Sequence, residues 1–145
     1  MQVDFYQLSR DPVERVLPSI AQRLLDNGDR LLVVAADLER LDHISKGLWS
    51  AGDDSFLAHG GAGCVNADIQ PILLGLGCTA ANGARNIALT DGLWRDEALE
   101  FHRVFYFFDQ ETIDGARQSW RSLAKREGVE PRFWKQEGRK WVQGP

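Results

Sequence analysis

The stretch Arg30-Leu-Leu-Val-Val-Ala-Ala36 decides the fold class that we predict for this chain. Its uninterrupted apolar character over the length of a strand is typical of a strand buried on both faces, as in a parallel sheet. Asn27-Gly28, just before it, is a common helix end, and Asp37, just after it, is a common helix N-cap. The stretch therefore predicts a central strand that lies between two helices.

Other segments repeat this alternation along the chain. Asp11 and Pro12 are typical of the N-cap and first turn of a helix that reaches Asn27, although Pro18 predicts either a kink or a later helix start. A second helix follows Asp37, with an apolar stripe at Leu38, Leu41, Ile44, Leu48 and Trp49. Further strands are predicted at Val3–Leu8, Pro71–Leu76, Asn86–Thr90 and His102–Phe108, a short extended piece at Ser55–His59, and a helical turn at Leu93–Leu99.

Strands that alternate with helices predict an α/β fold. We expect a single domain with a mostly parallel twisted sheet and helices on both faces, Rossmann-like but without a phosphate-binding loop. The predicted domain spans residues 1–141, and residues 142–145 form a short C-terminal tail. The chain has no apolar run of membrane-spanning length, and its two cysteines, Cys64 and Cys78, fit a reducing compartment, so we expect a cytoplasmic location.

A third predicted helix, also amphipathic, begins near Ile113. Its apolar stripe contains Ile113, Ala116, Trp120 and Leu123, and three cations recur every four residues on another face, which we call the basic ridge (Arg117, Arg121 and Lys125). We expect Asp109 to be the N-cap and Gly128 to end the helix. A run that mixes cations and aromatic residues follows, from Val129 to Trp141.

The charges of the chain are divided unevenly. Residues 117–145 carry eight Lys or Arg and three Asp or Glu, whereas residues 1–116 carry nine and eighteen. One interpretation is a solvated basic helix face, because most charge runs lie at the surface. The other is a docking site for an anionic partner, which the neighbouring Phe133, Trp134 and Trp141 would contact through apolar groups.

Motifs that carry catalysis or hold a cofactor are absent from the sequence. No G-x-x-x-x-G-K-[ST] or G-x-S-x-G motif occurs, and Gly75-Leu-Gly77 lacks the third glycine of a dinucleotide loop. His43, His59 and His102 are isolated from one another and from the cysteines, so no metal spacing is visible. We therefore predict no catalytic, cofactor-binding or metal-binding residues, and we favour a binding module. An α/β nucleotide-binding enzyme or regulator is the alternative.

An ordered set of segments resembles one protein family. Leu48-Trp49, followed after a short gap by Ser55-Phe-Leu-Ala-His59, is similar to the segment that marks the chi subunit of the bacterial DNA polymerase III holoenzyme. The resemblance extends in order over nearly the whole chain. The segments that carry it are Phe5–Leu8, Gly28–Val34, Pro71–Leu74, Asn86–Thr90, the strand ending at Phe108, Leu123–Lys125 and Arg132–Gly138.

The resemblance implies two partners and no enzymatic activity. One partner is the small psi subunit, through which chi joins the clamp-loader complex, and the other is the acidic C-terminal tail of single-stranded-DNA-binding protein (SSB), which ends in an apolar residue. Nucleic acid is contacted only indirectly. The family implies a tail-binding pocket near the last strand and the helix before it, here with the cations Lys125, Arg126, Arg132 and Lys135 and the rings Phe108 and Trp134.

The psi contact that the family implies falls on Trp49 and Phe56. Because aromatic residues on a helical stripe usually pack inside, both residues can equally be core residues. The chain also departs from the family pattern at Ala58 and at Gly128–Pro131. A third hypothesis, direct binding of single-stranded nucleic acid by the basic aromatic end, is disfavoured by the net charge of −4.

Overall fold

The computed structural model describes residues 1–50, 59–61, 64–137 and 140–144. Within them one sheet has the strand order β3-β4-β2-β5-β6-β1-β7-β8, with every neighbouring pair parallel except β7 and β8. The elements are β1 (Gln2–Gln7), α1 (Val13–Asp26), β2 (Leu31–Val34), α2 (Leu38–Trp49), β3 (His59–Gly61), β4 (Ile72–Gly75), β5 (Asn86–Leu89), β6 (Arg103–Phe108), α3 (Ile113–Ala124), β7 (Glu130–Glu137) and β8 (Lys140–Gln143). Short 3₁₀ helices cover Ala67–Ile69 and Asp96–Glu100.

Helices cover both faces of this sheet, which confirms the predicted fold class. Alternate residues of each strand point to opposite faces, so Phe105 and Phe107 pack in one apolar cluster with α1 and α2. Val104, Tyr106 and Phe108 pack in the other cluster, with α3. The predicted central strand Leu31–Val34 is fully buried, as expected for a strand covered on both sides.

The first helix begins differently from the prediction. Pro12, and not Asp11, is the N-cap residue, and no side chain caps the helix. Because the Asp11 carboxylate accepts a 2.7 Å hydrogen bond from Nε2 of Gln136 on β7, it is engaged away from the helix start. The helix continues through Pro18 to Asp26, so the alternative of a helix that begins near Pro18 is wrong.

The second helix begins as predicted, because the Asp37 side chain accepts a 2.8 Å hydrogen bond from the Arg40 amide. Its central stripe residues Leu41, Ile44 and Leu48 are buried, but Leu38 and Trp49 are 70% and 55% exposed. A 12-residue helix is about 18 Å long and a four-residue strand about 13 Å. The helix is therefore longer than β4, against which it packs, and the two exposed apolar residues are its first and its last.

The C-terminal region contains two strands that the sequence did not predict. The cation-rich run after α3 forms β7 and β8, and β8 continues to Gln143, past the predicted domain end at Trp141. The N-cap of α3 is Thr112, because Asp109 uses its carboxylate for the Glu111 and Thr112 amides in the preceding turn. The helix ends at Ala124, so Gly128 is not its immediate stop.

One of the predicted elements lies mostly outside the described residues. Of the predicted extended piece Ser55–His59, only His59 is described, at the start of β3.

No helix within the described residues is long and apolar enough to cross a membrane.

Candidate functional site

A hollow lined by aromatic rings lies between α3 and the sheet. We call it the aromatic hollow and define it by Phe5, Phe108, Trp120 and Phe133. Its volume is about 260 Å³. Phe5 is at its centre, with ring centroids 5.1 Å from Trp120 and 6.3 Å from Phe108, and Phe133 lies 6.2 Å from Phe108 and 6.5 Å from Trp120.

Strand pairing explains why these rings meet. β1 lies between β6 and β7, and Phe5 is in register with Phe133 of β7. Phe108 is the last residue of β6, in register with Gln7 of β1. Because residues in register point to the same face of a sheet, the three strands place their rings together under α3, and Trp120 from the helix closes the arrangement.

Cations lie beside the aromatic hollow. Arg117 lines it directly, is 64% exposed at its side chain, and has its nearest carboxylate, Asp114, at 3.8 Å. The other two residues of the basic ridge, Arg121 and Lys125, are exposed and make no ion pair with any described residue. Lys135 is in register with Gln7, on the strand face of Phe133, so a fourth cation belongs to this side of the sheet.

The structure does not bring all of the predicted tail-binding residues together. Phe108 lines the aromatic hollow, but Trp134 points to the opposite sheet face, where it stacks on Tyr6 with centroids 6.2 Å apart. Arg132 shares the face of Trp134 and lies 3.4 Å from the Glu130 carboxylate. Phe108 and Trp134 therefore cannot line one pocket, because strand alternation places Phe133, and not Trp134, on the α3 side.

Two other predicted cations lie at the far end of α3. Lys125 is the C-cap residue and Arg126 follows it, and both are exposed. Lys125 is eight positions, or about 12 Å along a helix, from Arg117. Lys125 is thus the last residue of the basic ridge and Arg126 adjoins it, whereas neither residue lines the aromatic hollow.

Three walls of the aromatic hollow, Phe5, Trp120 and Phe133, are not among the tail-binding residues predicted from the family resemblance. Trp120 was expected only to pack on the helix stripe, and Phe133 was seen only as one of several rings in the C-terminal run. The period-two alternation of β7 was the signal that could have separated Phe133 from Trp134. That signal requires the run to be recognised as a strand.

A second exposed apolar area lies near the opposite edge of the sheet, between α2 and the end of β4. Leu38 and Leu76, 70% and 51% exposed, line a cavity of about 490 Å³ with Leu41 and Leu74. Trp49, at the end of the same helix, lies with its ring centroid 4.5 Å from that of His59, and the core interpretation of Trp49 is therefore wrong. Phe56 lies outside the described residues.

The structure bears on the nucleotide and metal hypotheses at two places, the loop after β4 and the groups of possible metal ligands. After β4 the chain passes from Gly75 to β5 with no helix between them, so Gly75-Leu-Gly77 does not open a phosphate-binding helix. Among the described residues, no three His, Cys, Asp or Glu side chains are close enough to hold a metal ion.

Fold and site together define an α/β protein with a surface suited to docking, in which an aromatic hollow and a basic ridge share one face. The residues 1–132 match the model of the family described as DNA polymerase III chi subunit, HolC, and the chain belongs to that family. A comparison with curated proteins found no matching relative. Family membership makes this protein a DNA polymerase III accessory subunit that takes part in replication.

Proposed function

We propose that this protein is a non-catalytic adaptor that links DNA polymerase III, through the psi subunit of the clamp-loader complex, to the acidic C-terminal tail of SSB. The observation that carries the proposal is the combination of an aromatic hollow with an adjoining basic ridge on one face of the sheet. An acidic peptide with an apolar terminal residue offers the complementary groups. Peptide recognition of this kind combines a buried anchor with charges at the rim.

The dimensions suit such a peptide. The terminal apolar side chain would fill the aromatic hollow, and the terminal carboxylate would lie near Arg117 or Lys135. Arg is able to hold a carboxylate through two parallel hydrogen bonds. From Arg117 to Lys125 the basic ridge extends about 12 Å, which about four extended peptide residues span, so the preceding acidic residues would follow the ridge towards Arg126.

The proposed contact with psi is at the opposite edge of the sheet, near β3 and β4. Exposed Leu38, Trp49 and Leu76 supply apolar surface there, and Phe56 belongs to the same proposal from the family resemblance. In the strand order β3 and β4 are at one edge and β7 and β8 are at the other. Two partners could therefore bind at once without competing for the same surface.

Titration with a fluorescent SSB-tail peptide tests this function. We expect Arg117→Ala to weaken binding by about two- to fivefold, as is usual for one partly exposed charge. Arg40→Ala, which removes an exposed cation on α2, is the matched control and should leave the affinity unchanged. A peptide without its terminal apolar residue should bind far more weakly, because nothing would fill the aromatic hollow.

The alternatives predict different outcomes of the same titration. Equal binding by the shortened peptide, or equal losses in Arg117→Ala and Arg40→Ala, would contradict the proposed site. The exposed ridge beside partly exposed rings also suits single-stranded nucleic acid. Tight binding of oligothymidylate, displaced by the tail peptide, would favour that second function.

A further inference from the structure

A large groove separates α1 and α2 on the sheet face opposite α3. We call it the helix groove and define it by Arg15, Ser19, Gln22, Arg23, Lys46 and Ser50. Its volume is about 990 Å³. Neither the aromatic hollow nor the exposed apolar area of Leu38 and Leu76 shares a lining residue with it.

The close contact of α1 and α2 at one point creates the groove. Gly47 of α2 lies against the main-chain carbonyl of Glu14, the carbonyl that Pro18 cannot bond because it has no N–H. Ser19 and Ser50 are short, and they do not fill the space between the helices. The floor is thus made of backbone, Pro18 and small side chains.

Among the described residues, three Lys or Arg side chains and one carboxylate, that of Glu14, line the groove, so its charge is net positive although it lies in the acidic part of the chain. Arg15 and Arg23 are eight positions apart on α1, so they lie about 12 Å apart on one face. Neither makes an ion pair with any described residue, whereas Arg95 and Arg103 are each paired with a buried carboxylate. Lys46 adds a third cation, 3.0 Å from exposed Asp42.

An unused hydrogen-bond acceptor lies between the two arginines. Oε1 of Gln22 is buried and accepts no hydrogen bond from any described residue, while its Nε2 donates to Asp26 at 2.9 Å. A buried acceptor without a donor is unfavourable by roughly 1–3 kcal/mol. Because Oε1 is not accessible to solvent, the Gln22 side chain would have to rotate towards the groove before a ligand N–H could bond to it and remove that penalty.

We propose that the helix groove binds an extended acidic peptide segment. Its carboxylates would pair with Arg15 and Arg23, and one of its backbone N–H groups would donate to Gln22 Oε1. Single-stranded nucleic acid fits less well, because no Phe, Tyr or Trp among the described residues lines the groove and bases need such platforms for stacking. This proposal is independent of the SSB-tail site, which lies on the other face and requires a terminal apolar residue.

The test uses the full chain and a capped octapeptide of alternating Asp and Gly, which has no aromatic residue and no free carboxyl terminus. Binding is followed at low salt by ¹⁵N-resolved NMR, with expected shifts at the Gln22 side-chain amide and the Gly47 amide. Arg15→Ala combined with Arg23→Ala should weaken binding about tenfold. The matched control, Arg117→Ala combined with Arg121→Ala, should change it less than twofold and should still weaken binding of the SSB-tail peptide.

A further variant separates peptide recognition from simple charge attraction. Gln22→Leu removes the acceptor without changing charge, and it should weaken the octapeptide at least threefold while leaving the chain folded. The proposal is overturned if the chemical-shift changes are confined to the basic ridge, or if the two double variants lose octapeptide affinity equally. It is also overturned if the Gln22→Leu variant binds the octapeptide normally. A final contrary result would be oligothymidylate that shifts the groove residues at a lower concentration than the octapeptide.

Discussion

Nε1 of Trp134 donates a 3.0 Å hydrogen bond to Oδ1 of Asp4, a carboxylate that is fully buried. Arg103 contacts the other oxygen at 2.9 Å, and Gln2 donates to both. The hydrogen bond between Trp134 and Asp4 joins β7 to β1. It also explains why Trp134 is unavailable for the aromatic hollow on the opposite face.

Trp134→Phe should lower the free energy of unfolding by about 1–2 kcal/mol, because the buried Asp4 carboxylate loses one hydrogen-bond donor. Urea denaturation measures the change. Trp94→Phe is the control, since the Trp94 indole donates to the exposed Asp96, and it should lose less than about 1 kcal/mol. Equal losses in the two variants would show that Asp4 gains nothing from the indole.

Gly47→Ala should destabilise the protein by about 1–3 kcal/mol, because the added methyl would overlap the Glu14 carbonyl and force α1 and α2 apart. Gly115→Ala on α3 has open space around its Cβ position and should be neutral or stabilising by up to about 1 kcal/mol. Thermal unfolding of both variants provides the comparison. A stable Gly47→Ala variant would mean that the helices are not in close contact there.

Removing the charge of Lys125 should weaken the SSB-tail peptide by about two- to fivefold, since Lys125 continues the basic ridge. Arg132→Ala should leave the affinity unchanged, because Arg132 lies on the opposite face beside Glu130. Fluorescence anisotropy of the labelled tail peptide, at low and high salt, measures the affinity of the two variants. An Arg132→Ala loss as large as that of Lys125→Ala would refute the placement of the tail on the α3 face.

Alkaline pH should unfold the protein before its tyrosines ionise freely. Burial, and then the charge of Asp4, raises the pKa of Tyr6 to about 12; burial, and then the charge of Asp91, raises the pKa of Tyr106 to about 12. The unfolded chain loses these protons near pH 10, so the folded state binds more protons above that pH and its stability falls as the pH rises from about 10 to 12.

Absorbance at the tyrosinate band, recorded together with circular dichroism, measures this prediction. We expect no tyrosinate signal at about pH 10.5, and a cooperative rise that coincides with unfolding at higher pH. A gradual rise near pH 10 in a chain that remains folded would contradict the burial of these phenols.

Acid should act through the Asp91–Arg95 pair. Burial alone would raise the pKa of Asp91, but hydrogen bonds and charge from Arg95, with the Leu93 amide, outweigh it and lower that pKa below its usual value. The pair therefore contributes stability above about pH 4, the unfolded pKa, which is lost as the pH falls through the lower folded value.

Asp91→Asn should remove most of this pH dependence and destabilise the protein at neutral pH by about 2–3 kcal/mol, because it leaves Arg95 without its ionic partner. Urea denaturation at neutral and acidic pH measures both effects. Asp114→Asn, at a carboxylate that is 93% exposed, should behave like the unchanged protein. An Asp91→Asn variant with an unaltered acid profile would show that the pair is not a source of acid sensitivity.

Local sequence patterns were sufficient to predict the sheet class and most of the central elements. Continuous apolar strands such as Leu31–Val34 can only be buried on both sides, and Asp37 marks the start of α2 through a local hydrogen bond. The basic ridge was also visible, because cations at Arg117, Arg121 and Lys125 follow helical spacing. These features depend on neighbours within a few positions, which a linear pattern records.

The choice of rings that line the candidate site depends on long-range strand pairing. Phe5, Phe108 and Phe133 are distant in sequence, and they meet because β1 pairs with β6 on one side and β7 on the other. The same pairing sends Trp134 to Asp4 on the opposite face. Which face an aromatic residue occupies depends on strand order and register, and these are fixed by contacts between distant segments.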